Sequence, residues 1–161
     1  MINLTIIKQT NLSFLLADGF FDSTDPSFNT KISTYLDLIQ IHGFKASRIA
    51  MDIELLDKDS KKKFKADLLV YNNALRPQLI FQVKTPKDYQ EYISQSFKTD
   101  LFNLAKLSVH SVKYLVLVYR NVSGYIDQKE VVVIDYSRYK SFESWKQSGF
   151  EHLDFLPVFE S

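Results

Sequence analysis

The 161-residue chain carries 20 Lys and Arg against 19 Asp and Glu, a formal charge of +1, so it lacks the basic excess of many nucleic-acid binders and any such contact would rest on local patches. The absence of Cys excludes a disulfide framework and thiolate metal ligands, while four Gly, four Pro and abundant Phe and Tyr argue against a disordered or linker-dominated chain. The length suits one domain over residues 1–161, with room for a sizeable core.

Residues 2–7 and 12–16 are predicted as strands around a Gln9-Thr10-Asn11 turn. Lys8, Gln9, Asn11 and Asp18 interrupt the apolar residues of 1–21 before a secretory or membrane-spanning stretch can form, so a soluble, cytoplasmic protein with no membrane partner is expected. Residues 18–29, with Gly19, Asp22, Ser23, Thr24 and Pro26, read as a loop. Ile32, Tyr35, Leu36 and Ile39 then recur at helical spacing, Leu38 and Ile41 widen the apolar face, and Gly43 is placed to end the helix.

Residues 48–55 alternate, with Met51, Ile53 and Leu55 on one face and Ala50, Asp52 and Glu54 on the other, as in a strand. Lys58, Lys61, Lys62, Lys63 and Lys65 follow as a lysine run between strands; a solvated loop is the preferred reading over a set of phosphate contacts. Residues 65–71 and 78–84 are short runs rich in Val, Ile, Leu and aromatics, separated by Asn72-Asn73-Ala74-Leu75-Arg76 and Pro77. This is turn chemistry, and the reading is a β-hairpin.

Along the second strand Gln78, Ile80, Gln82 and Lys84 share one face, opposite Leu79, Phe81 and Val83. A register with Tyr71 opposite Gln78 sets Asp67 opposite Gln82, so a carboxylate, a carboxamide and an ammonium are expected on one patch. Thr85-Pro86-Lys87-Asp88 fits a helix start, with Thr as N-cap and Pro at the first helical position. That helix, predicted to run to about residue 107, would aim its amides just beyond Lys84, where an anion can be held.

Residues 112–119 are nearly all apolar, as in a strand buried on both faces, and Ser123-Gly124 turns the chain into a strand at 131–134. A short helix at 141–147 is stopped by Gly149, and residues 150–159 add three Phe. Trp145, with Tyr136, Tyr139 and Phe142, is expected to close the core with a C-terminal helix rather than to form a partner surface or stacking platform. His42, His110 and His152 lack metal-ligand spacing and are taken as structural.

Asp67, fourteen intervening residues and then Gln82-Val83-Lys84 resemble the PD-(D/E)XK nuclease motif, in which an Asp and an (E/Q)-x-K triplet sit on adjacent antiparallel strands. The stretches KADLLVY, NNALR and PQLIFQVKTP are most similar to the N-terminal nuclease domain of type I restriction enzyme motor subunits. The resemblance implies an α/β, restriction-endonuclease-like core over about residues 25–136, a mixed central sheet flanked by helices in the order αβββαβ, with a C-terminal helix and strand at 137–161 packed on it. It also implies a metal-dependent endodeoxyribonuclease of restriction or defence type.

On that resemblance Asp67 is the main ligand of Mg²⁺ or Mn²⁺, Gln82 and the following backbone carbonyl add neutral oxygens, and Lys84 positions water or stabilises developing negative charge. Two departures stand out: Gln82 replaces the usual second acid, as in the Mrr-like branch of the superfamily, and the first helix offers only the late Asp37. Asp52 or Glu54 is expected to complete the metal site. Gln95 is followed by Thr99, not by the aromatic typical of the restriction subunits. The departures leave two alternatives: an inactive nuclease-fold module that binds nucleic acid, and an assembly subunit that works beside a translocase or methyltransferase. No phosphate-loop motif is present, so ATP-driven translocation would come from such a partner.

Overall fold

The computed structural model describes residues 4–10, 26–57, 59–84, 100–107, 112–123 and 125–157. The predicted strand at 12–16, the helix start at 85–88, Gln95, Thr99, His110 and Gly124 lie outside them. Strands β1 (Leu4–Thr10), β2 (Ile49–Asp57), β3 (Lys63–Tyr71), β4 (Pro77–Lys84), β5 (Tyr114–Ser123) and β6 (Ile126–Asp135) form one sheet in chain order. The helices are α1 (Pro26–Gln40), α2 (Asp100–Leu107) and α3 (Phe142–Gln147).

Neighbouring strands are antiparallel except β4 and β5, which are parallel. A parallel pair needs a crossover, and α2 lies in it. The fold is therefore α/β with a mixed sheet, and the series α1, β2, β3, β4, α2, β5 contains the expected order of elements. Among the described residues no helix is long and apolar enough to cross a membrane.

Each face of the sheet carries its own core. Ile32, Tyr35 and Leu38, one stripe of α1, pack with Met51, Leu68, Leu79, Phe81, Val116 and Val118. On the other face Leu101, Phe102 and Leu104 of α2 join Phe142 and Trp145 of α3 over Ile53, Leu69, Ile80, Leu115 and Leu117. Leu115 to Val118 are all inaccessible, alternating between the two cores, as the apolar run predicts.

Local chemistry sets the element ends. At the β3–β4 turn Asn72 Oδ1 accepts the backbone N–H of Ala74 at 2.9 Å and of Arg76 at 3.1 Å, and Leu75 takes φ +58°. Gly43 (φ +73°) follows α1 and Gly149 (φ +81°) follows α3, both in the left-handed region that glycine enters without steric cost. Ser141 caps α3, its Oγ accepting the Ser144 N–H at 3.1 Å.

Several boundaries differ from expectation. β1 continues through Gln9 and Thr10 and pairs with β2 instead of turning there, and α1 begins at Pro26, inside the predicted loop. Lys63 and Lys65 belong to β3, exposed on either side of buried Phe64, so the lysine run is partly the exposed face of an interior strand. β6 extends over ten residues, whereas the C-terminal segment makes only a bridge between Leu153 and Val133 among the described residues.

Trp145 is inaccessible, lies 4.8 to 6.0 Å between ring centroids from Phe102, Phe142 and Phe150, and donates Nε1–H to the Glu151 carbonyl at 2.9 Å. It closes the core, as expected. Trp145→Ala removes this anchor and leaves a cavity, so urea unfolding should show a loss of about 3–5 kcal/mol; a change below about 1 kcal/mol would show that α3 is not integral to the fold.

Candidate active site

The site begins with a break in strand alternation. Met51 pairs with Leu68 and Ile53 with Ala66, so Asp52 and Asp67 face each other across the β2–β3 ladder. Period-2 alternation would put Met51 and Ile53 on one face. Instead Met51 and Leu68 lie in the α1-side core while Ile53 and Ala66 lie in the α2-side core. Both strands switch faces together at the two aspartates, which keeps the register intact. Asp52 takes φ +51° to do so, a conformation that Asp tolerates better than most residues but that still costs of order 1–3 kcal/mol.

Lys31 of α1 reaches this point. Its Nζ donates to Asp52 Oδ1 and lies 3.3 Å from Asp67 Oδ1, and its side chain is only 13% exposed. Burial pulls its pKa down, but hydrogen bonding and attraction from Asp52 and Asp67 outweigh that, and the net shift is upward from 10.5. One ammonium thus holds two carboxylates that would otherwise repel across the ladder.

On its other side Asp67 meets the hairpin partner. The β3–β4 register pairs Leu68 with Phe81, Leu69 with Ile80 and Val70 with Leu79, as expected, then shifts so that Tyr71 pairs with Pro77 and not with Gln78. The ladder stops at Leu68. One residue on, Asp67 Oδ2 accepts the Val83 N–H at 2.7 Å, so a side chain takes the place of a backbone acceptor in the middle of Gln82-Val83-Lys84. The Gln82 Nε2 donates to the Lys65 carbonyl at 3.5 Å, at the long limit of a hydrogen bond.

Asp67 and Gln82 therefore enter the opening between β3 and β4 from different sides, so the single patch of Asp67, Gln82 and Lys84 expected from strand alternation does not form, because β3 switches faces at Asp67. Asp67 is drawn toward α1 by Lys31, whereas Gln82, with Lys84 two residues on, leaves β4 on the face opposite Phe81 and Val83. Gln82 Oε1 is buried and accepts no hydrogen bond among the described residues. Leaving such an acceptor unmet costs about 1–3 kcal/mol.

The remaining candidates are placed elsewhere. Glu54 Oε1 pairs with Lys65 Nζ at 3.4 Å, leaving Asp52 as the acid beside Asp67. Asp37 binds Lys129 of β6. His152 Nε2 sits 3.4 Å from Asp154, and His42 lines an apolar cavity of about 290 Å³ between α1 and residues 154–156. No cluster of three His, Cys, Asp or Glu side chains with metal-holding geometry occurs among the described residues. Sequence reasoning missed Lys31, although it is the only basic residue of α1 and adjoins the buried Ile32.

Comparison with known proteins gives no matching family model and no significant curated relative.

Lys31→Met should destabilise the domain by about 1–3 kcal/mol in metal-free buffer, because two facing carboxylates lose their common partner. The raised Lys31 pKa makes this contribution complete below 10.5 and lost as pH climbs through the folded-state value. Denaturant midpoints of wild type and Lys31→Met should accordingly converge in strongly alkaline buffer; a pH-independent gap would contradict the charge account.

Proposed function

We propose that this domain is a metal-dependent nuclease of the PD-(D/E)XK type, with a restriction-endonuclease-like core, that hydrolyses DNA phosphodiester bonds in a cytoplasmic restriction or defence system. The observation that carries the reading is the Asp67 carboxylate held on the Val83 N–H where the β3–β4 ladder opens, beside the Gln82-Val83-Lys84 end of β4.

The carboxylates of Asp67 and Asp52, gathered on the α1 side by Lys31, are the oxygen ligands a hard divalent cation prefers, while Gln82 would have to reach the same ion from the opposite face of β4. When bound, Mg²⁺ or Mn²⁺ would polarise the phosphate and lower the pKa of an attacking water. Asp67 would hold it, with Gln82 as a neutral ligand and Asp52 as the completing acid. Lys84 would position water or offset charge building on the phosphate. Lys31 holds the two carboxylates together and would have to release Asp67 for that carboxylate to serve as a metal ligand. A translocase or methyltransferase subunit would deliver the DNA in the assembled system.

Purified protein should cut DNA in Mg²⁺ or Mn²⁺, and Asp67→Asn or Lys84→Ala should slow cleavage at least about 100-fold. Cleavage that survives both substitutions would exclude this site.

A second reading, a nuclease-fold module that binds nucleic acid without cutting it, is favoured by the ammonium of Lys31 between Asp52 and Asp67. Calorimetric titration separates the two. On the nuclease reading wild type binds Mn²⁺, and Lys31→Met binds it about 10- to 100-fold more tightly, the equivalent of losing one competing charged hydrogen bond. On the binding-module reading neither protein takes up the ion.

A further inference from the structure

We propose that a second cavity, of about 430 Å³ and lined by Asn29, Thr30 and Ser33 of α1, Arg120 of β5 and Lys129 of β6, seats a phosphate of the nucleic-acid backbone. That the phosphate belongs to a nucleic acid rests on the function proposed above; the anion seat itself rests on the cavity.

Arg120 and Lys129 are direct cross-strand partners, so their side chains leave the same face of the sheet. Val118, two residues before Arg120, and Val131, two after Lys129, pack in the α1-side core, so that face lies under α1. Like charges directly opposite one another repel, and the fold holds the two cations here with each engaged by a partner. Lys129 is met by Asp37 and by Ser33 Oγ at 3.1 Å. The cavity lining itself comprises two cations, a carboxamide and two hydroxyls, with no carboxylate among the described residues. This is the donor-rich, cationic surface that an oxyanion needs, and the guanidinium fork of Arg matches phosphate oxygens in pairs.

The cavity lies on the same side of the sheet as Lys31 and its two aspartates. Tyr119 pairs with Lys84 across the parallel β4–β5 ladder, so Arg120 is one residue beyond the level of the Gln82-Val83-Lys84 end. On α1, Asn29, Thr30 and Ser33 flank Lys31, the residue bound to Asp52 and Asp67. A phosphate held by Arg120 would lie on the α1 side of the sheet, two strands over from Asp67, and would set the register of a bound strand without reading its bases.

Fluorescence anisotropy with labelled single-stranded and duplex oligonucleotides in EDTA, across a range of salt, tests this without any metal chemistry. Arg120→Gln should weaken binding about 10- to 100-fold and flatten the plot of log affinity against log salt by about 0.7–0.9, one phosphate contact; Arg120→Lys should keep the slope. The double variant Asp37→Asn, Lys129→Gln, which removes a matched pair, should give the same loss of slope if Arg120→Gln fails to fold. An unchanged isotherm and slope in the folded variants would overturn the proposal. So would wild type that binds inorganic phosphate as tightly as the oligonucleotides, since the ligand would then be a free anion. Protein that binds DNA through Arg120 but cuts nothing with Mn²⁺ would remove the nuclease reading and uphold this seat.

Discussion

The arrangement depends on one ammonium group shared by two carboxylates that face each other across a strand ladder. Asp52 and Asp67 occupy opposed positions on β2 and β3, and alone they would repel. Lys31 joins them from α1 and thereby ties the helix to the strands at the point where both strands switch faces. The switch has a backbone cost at Asp52, and it lets one pair of strands serve two cores, Met51 and Leu68 on one side and Ile53 and Ala66 on the other.

The same point controls the chemistry proposed for the site. The β3–β4 ladder yields to side chains after Leu68, so a carboxylate and a carboxamide occupy an opening that backbone bonds would otherwise fill. Partial burial strengthens every charge there relative to water. On the proposed reading the carboxylates would form the seat for a cation before any cation arrives, with Lys31 as their partner in the meantime. Catalysis on this account would be an exchange between a tethered single charge and a mobile double one at Asp52 and Asp67.

Much of the framework was legible in the sequence because local chemistry dictated it. Asn72 announced the hairpin turn and its Oδ1 makes the turn's hydrogen bonds; the apolar run through Leu115 and Val118 announced a strand buried on both sides. The hairpin register followed from loop length as far as Leu68. The face of Met51 did not follow, because alternation assumes φ below zero and nothing in the sequence marks Asp52 as left-handed. Lys31 escaped for a different reason: a helix is read by its apolar stripe, and a lysine beside that stripe looks solvated until a partner strand presents two acids to it. The choice between Asp52 and Glu54 was hidden for a similar reason: both face the α1 side, and only their partners, Lys31 for Asp52 and Lys65 for Glu54, tell them apart.

Anomalous diffraction from a Mn²⁺-soaked crystal is the most direct measurement of the central claim. The account predicts a single strong peak coordinated by Asp67, with Gln82 Oε1 or Asp52 beside it and the Lys31 ammonium withdrawn from Asp67. Absence of a peak there at saturating ion, with Lys31 still bridging both aspartates, would contradict it.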